Sequence, residues 1–142
     1  MKINLFKFLF VLWLAFCSGI INAQNVAQQN LAWTSTTVVD IKNNAPSMPF
    51  QCSFKTFSNQ SIDWIQKSGA EVYQYTVVSI EGSWTNVMTD GTIQYNVFLG
   101  TSTGSFVFTR SNGQLSVRLR TYVDNELDLD LIFNLSTVEP LN

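Results

Sequence analysis

Asp124, Glu126, Asp128 and Asp130 set four carboxylates within seven residues, the densest group of chemically useful side chains in this 142-residue chain. Such a run could ligate calcium or supply the acid and base of a glycoside hydrolase. Calcium loops interleave their carboxylates with turn residues and usually a glycine. Here Leu127 and Leu129 interleave, so Glu126, Asp128 and Asp130 project from one face of a strand, the pattern of a solvated surface. A retaining glycosidase needs two carboxyls about 5–5.5 Å apart across a cleft, and the sequence singles out no such pair.

A second group could bind rather than react. Trp64, Tyr73, Tyr75 and Tyr95, with Trp84 as a fifth member, are the ligand-pocket candidates. Apolar walls that carry a few hydroxyls and an indole N–H are how small-molecule sites are usually built. The competing reading is a filled core, because an eight-stranded barrel is near the size that side chains alone can pack. Buried tyrosine hydroxyls would then each need a partner. Cys52 alternates with Phe50 and Phe54 and should point inward as a small hydrophobe. No basic neighbour marks it as a reactive thiol. Gly82-Ser83-Trp84 matches the Gly-x-Trp of lipocalin-type barrels, where the motif sits on the first strand. Here it lies mid-chain, so it is compatible with a lipocalin-like architecture and carries over no family residue.

The chain has no histidine. That excludes Ser-His and Cys-His triads and His-based zinc sites, and it removes the usual base at neutral pH. With no nucleophile motif, no metal constellation and no Gly-rich phosphate loop, the sequence predicts a non-enzymatic protein without cofactor or metal.

Residues 1–23 read as a secretory signal peptide: Lys2 and Lys7, an apolar run from Phe8 to Phe16, and Ala23 before Gln24. The run is too short to span a bilayer, which takes about 20 apolar residues, so no transmembrane helix is expected in the mature chain. Cleavage after Ala23 would leave 119 residues with six Lys and Arg against ten carboxylates, a net charge of −4. No basic patch remains for nucleic acid or anionic membrane. Cys17 would leave with the signal. Cys52 is then alone, and no intramolecular disulfide can form in an oxidising compartment. Lipid anchoring at Cys17 is disfavoured because Phe16, not a small residue, precedes it. The expected address is extracytoplasmic, secreted or periplasmic, and a Lys-bearing signal ending in Ala-Gln suits a bacterial source. Asn59-Gln60-Ser61 and Asn134-Leu135-Ser136 fit the glycosylation sequon, which matters only where the source glycosylates proteins.

Residues 24–32 are polar and read as a flexible mature terminus. The single β-domain is expected over 33–142. There the apolar residues alternate, and no window shows a helical period. The expected strands are 33–41, 50–57, 61–67, 70–80, 92–99, 104–111, 114–122 and 126–136. Turn chemistry sets the register. Asn112-Gly113 as a type I′ turn pairs Ser111 with Gln114, Phe108 with Val117 and Phe106 with Leu119. A Ser68-Gly69 turn pairs Trp64 with Tyr73 and Ile62 with Tyr75. A Gly100–Thr103 loop sets Val97 against Phe106 and Tyr95 against Phe108. A Val123-Asp124-Asn125 loop sets Leu119 against Leu129, and puts two salt bridges in register, Arg118 with Asp130 and Arg120 with Asp128. The stretch from Ser79 to Asp90 loses alternation, and Gly82 suggests a bend.

These pairings share one apolar face: Cys52, Phe54, Ile62, Trp64, Tyr73, Tyr75, Val77, Ile93, Tyr95, Val97, Phe106, Phe108, Val117, Leu119, Leu129, Leu131 and Phe133. The sequence thus predicts an all-β, up-and-down antiparallel meander of about eight strands, a small closed or partly open barrel, with a two-sheet sandwich as the alternative. For function it points to a binding module for an apolar or amphipathic small molecule. A structural or adhesive envelope protein acting through outward residues such as Phe57, Ile65, Val107 and Ile132 is the alternative. An eight-stranded outer-membrane barrel, which alternation permits because it only inverts the faces, ranks third: the expected strands are mostly shorter than the roughly 9–11 residues of membrane strands, and the Asn112-Gly113 and Ser68-Gly69 turns leave no long loops.

Overall fold

Alternating β-branched and aromatic residues give a ladder of strands in the computed structural model, which describes residues 25–142. The expected signal segment lies outside the described residues. The strands are β1 (Asn30–Asp40), β2 (Met48–Phe57), β3 (Ser61–Gln66), β4 (Glu71–Glu81), β5 (Gly91–Leu99), β6 (Ser102–Ser111), β7 (Gln114–Val123) and β8 (Glu126–Pro140). Each pairs antiparallel with the next, and β8 returns to β1, from Leu31↔Pro140 to Asp40↔Leu131. The sheet is therefore a closed barrel, not a sandwich. Closure removes both free edges. It is helped by the 15-residue length of β8 and by irregular register between Ser35 and Thr37, which bends β1.

Two hairpins have the expected register. Asn112 and Gly113 take φ of 50° and 77°, and Phe108↔Val117 and Phe106↔Leu119 follow. Trp64↔Tyr73 and Ile62↔Tyr75 likewise pair. Two others are corrected. The β5–β6 turn is Gly100-Thr101, with Leu99↔Ser102 paired, so Tyr95 faces Phe106 and Val97 faces Gly104. Gly100 at φ 60° allows this tighter turn. The β7–β8 turn is Asp124-Asn125, both left-handed (φ 50° and 66°). That moves the register by one residue, and a bulge at Asp128 moves it by one more, giving Leu119↔Leu131 and Arg120↔Asp130. Both shifts total two residues, so the side chains of β8 from Leu129 onward keep their expected face, while the bulge takes Asp128 from the expected outer face to the mouth.

The segment read as a flexible terminus is built into the fold. Val26–Gln28 form a 3₁₀ turn with Val26 and Ala27 buried. The Val26 N–H donates to the Trp84 carbonyl at 2.7 Å, and the Ser58 hydroxyl donates to the Ala27 carbonyl at 3.3 Å. Trp84, in the loop that follows Gly82 (φ 90°), is buried against Trp33 and donates its indole N–H to the Thr89 carbonyl at 2.9 Å. Together they close the end of the barrel that holds the β2–β3, β4–β5 and β6–β7 connections. The physical reason is that apolar Val26, Ala27 and Trp84 cover core rings that would otherwise meet water.

The interior is packed with rings. Trp33, Phe54, Phe106, Phe108 and Phe133 are fully buried, and Phe54 alone touches Trp64, Phe106, Phe108 and Phe133 at centroid distances of 5.1–6.3 Å. Of the predicted inward face, Val77, Leu129 and Leu131 are half-buried and packed against this core, and Tyr73 lies at the rim, 40% exposed.

Candidate functional site

The end opposite the Trp84 plug is open. The β3–β4, β5–β6 and β7–β8 turns surround it and hold a cup of about 330 Å³ lined by Trp64, Gln66, Tyr73, Tyr75, Leu99, Ser102, Thr121, Asp128 and Leu129. Trp64 and Tyr73 meet here because the Lys67–Gly69 turn, with Lys67 and Ser68 left-handed, brings β3 back as β4 in register. Tyr75 sits one inward step deeper and packs edge-on against Phe106 at 5.1 Å. Desolvation, with smaller effects of Tyr73 and Asp128, pushes its phenol up to about 12. The Trp64 Nε1 is buried and has no hydrogen-bond partner among the described residues. The Cys52 thiol borders it without forming a hydrogen bond of ordinary geometry. Burial pushes that thiol above its usual value.

Three of the five pocket candidates, Trp64, Tyr73 and Tyr75, are thus brought together. Two are not. Trp84 belongs to the plug at the closed end. Tyr95 lies in the packed middle, fully buried, edge-on to Phe108 at 5.8 Å, with its hydroxyl unpartnered among the described residues. An unpaired buried hydroxyl is destabilising. Tyr95→Phe is therefore expected to leave stability unchanged or raise it by about 1 kcal/mol, measured as the urea midpoint at unchanged m-value.

Gln66, Leu99, Ser102 and Thr121 were not legible as cup residues. Thr121 carried a signal: it breaks the inward apolar series Leu115, Val117, Leu119. The others depend on which turns converge.

The four carboxylates are dispersed rather than paired. Asp124 and Glu126 stand exposed at the β7–β8 turn, and Asp128 reaches the cup. Asp130 faces outward yet is only 6% exposed, because Arg118 covers it with two hydrogen bonds of 2.7 Å and Arg120 approaches at 3.6 Å. The expected Arg118–Asp130 bridge forms, diagonally rather than in register. The expected Arg120–Asp128 bridge is replaced by Arg120–Asp130, a consequence of the bulge. Hydrogen bonding from Arg118 holds the Asp130 carboxyl below its ordinary 3.8. The stabilisation is complete above that value and is lost as pH falls through the lower, folded one. Asp130→Asn should cost about 1–3 kcal/mol at pH 7. The difference from wild type should shrink as pH falls through the folded value, checked by denaturant titration at pH 7 and at a series of lower pH values.

A larger depression, about 760 Å³, runs beside the C-terminal part of β8 and the loop at Met88. It has no aromatic wall, and its charged residues, Arg110 and Glu139, are single. The cup is the better-built site. No protein-family model matches this chain, and comparison with curated proteins returns no match.

Proposed function

We propose that this protein is an extracytoplasmic, non-enzymatic binding module that holds a small amphipathic molecule at the open mouth of its barrel. The observation that carries the reading is the juxtaposition of Trp64, Tyr73 and Tyr75 with Gln66, Ser102, Thr121 and Asp128 in one cup. Rings supply apolar area and the polar groups fix orientation. A cup of about 330 Å³ is near the lower end of ligand-site volumes, roughly 300–1,000 Å³, so the ligand is small or only partly enclosed. Asp128 is the one carboxylate among the described residues of the lining, whereas a retaining glycosidase would need a second about 5–5.5 Å away.

The adhesive reading has less support. Phe57 pairs laterally with Asn30 and Ser61, Ile65 with Ser53 and Val72, Val107 with Gln94 and Arg118, and Ile132 with Arg118 and Val39. Polar neighbours interrupt each, so they make no continuous apolar patch. The same outer wall carries Lys55, Asp63, Arg118 and Arg120, which favours water over lipid around the barrel.

Nitrogen-15 NMR of the purified protein tests the reading through three indoles. Those of Trp33 and Trp84 are held by Thr56 and Thr89 and serve as controls. Titration with a fatty acid, retinol, a long-chain alcohol and an alkylammonium salt should give a saturable shift of the Trp64 indole N–H. No saturable shift with any of them would overturn the proposal.

A further inference from the structure

Charge at the mouth is one-sided. Asp124, Glu126 and Asp128 share a depression with Lys42, and Asp40 lies within reach of its charge, while Lys67 pairs with Glu71 and Arg118 and Arg120 share Asp130, so six carboxylates stand against four cations. Only Asp128 among these lines the cup. Among the described residues no Lys or Arg nitrogen lies within 4.0 Å of its carboxylate. Lys42 Nζ donates instead to the Asp128 backbone oxygen at 2.8 Å. The carboxylate accepts one long hydrogen bond, from the Thr121 hydroxyl at 3.4 Å, and the residue is exposed.

Aromatic rings line the same cup as this charge. Trp64 and Tyr73 have ring centres 5.6 Å apart and planes inclined at 39°, with Trp64 buried at the floor of the cup and Tyr73 exposed at its rim. Tyr75 completes the wall, and the Asp128 charge contributes to holding the proton on its phenol. Ring faces carry negative electrostatic potential and attract cations, most strongly where the cation also loses water. A carboxylate beside them adds to that attraction and repels anions. A neutral apolar ligand would use the rings and gain nothing from Asp128.

We propose that the mouth recognises a small organic cation, an ammonium group whose methyl or methylene surface lies against Trp64, Tyr73 and Tyr75 while its charge faces Asp128. This rests on the binding reading above and names its ligand class.

The test compares choline with 3,3-dimethyl-1-butanol, its uncharged isostere, at matched ionic strength, following the Trp64 indole N–H. Choline should bind at least about fivefold more tightly, and added sodium chloride should narrow the gap. Asp128→Asn keeps the shape of the side chain and removes its charge. It should bring choline down to the affinity of the alcohol with the melting temperature unchanged. Equal binding of the two probes to the wild type, or a choline preference that survives in Asp128→Asn, overturns the cation assignment. If neutral amphiphiles still move the Trp64 signal, the binding reading stands without it. If no probe moves that signal, both fall.

Discussion

Phe54→Ala is expected to lower the unfolding free energy by about 3–5 kcal/mol, or roughly 10–20 °C in melting temperature for a domain of this size. Phe54 is fully buried and stands at the centre of the ring cluster, in contact with Trp64, Phe106, Phe108 and Phe133. Removing it loses the transfer energy of the ring and leaves a cavity that neighbours on β6 and β8 cannot collapse into, because closure of the barrel fixes their spacing. Phe54→Leu should lose less, roughly 1–2 kcal/mol. Phe98→Ala, 41% exposed on the outer wall, should change stability by no more than about 0.5 kcal/mol. Urea unfolding of the three variants measures the series. Equal losses for Phe54→Ala and Phe98→Ala would contradict a packed interior. The effect should reach the mouth too, since Trp64 packs on Phe54 at 6.3 Å.

Gly104→Ala is the second large effect, expected at about 2–3 kcal/mol. Gly104 pairs with Val97 on one side and Thr121 on the other. A Cβ there would overlap the backbone oxygen of Arg120 and come within 3.3 Å of the Thr121 Cα. Neither atom is the end of a flexible side chain, so β6 or β7 must move. Because Thr121 lines the cup, the variant should shift the amide resonances of Thr121 and Asp128 as well as lower the urea midpoint. Gly100→Asn is the contrast. A Cβ at Gly100 meets nothing within 4 Å, and Asn tolerates φ of 60°, so its loss should stay below about 1 kcal/mol.

Alternation made most of the fold legible. Phe106, Phe108, Val117 and Leu119 fall on one face whatever the details of the turns, and Asn112-Gly113 carries its own conformation. The two hairpin corrections arose where no such signal exists. Gly100-Thr101 can close a two-residue or a four-residue loop, and that shift of two residues leaves the faces unchanged, whereas the Asp124-Asn125 turn moves β8 by one residue and only the bulge at Asp128 restores the faces from Leu129 onward. Burial therefore cannot distinguish the choices locally. The bulge at Asp128 has no local signature either, yet it moves Asp130 under Arg118 and releases Asp128 to the mouth.

The cup was half legible. Trp64, Tyr73 and Tyr75 are bound together by one hairpin, so local register sufficed to place them. Tyr95 and Trp84 share their residue types but not their depth, and depth along a barrel depends on the stagger of all the strands. By itself, then, the sequence determined the strand period, the inward face, and the lack of histidine and of a second cysteine in the expected mature chain, because these depend on residue type and spacing of two. Only the tertiary structure decided that the sheet closes, that Val26, Ala27 and Trp84 seal one end, that rings fill the middle, and that Asp128 stands with the aromatic rim at the other. Those features join residues more than a hundred positions apart, Leu31 to Pro140 among them, and are settled by closure of the whole ring rather than by any neighbour in the chain.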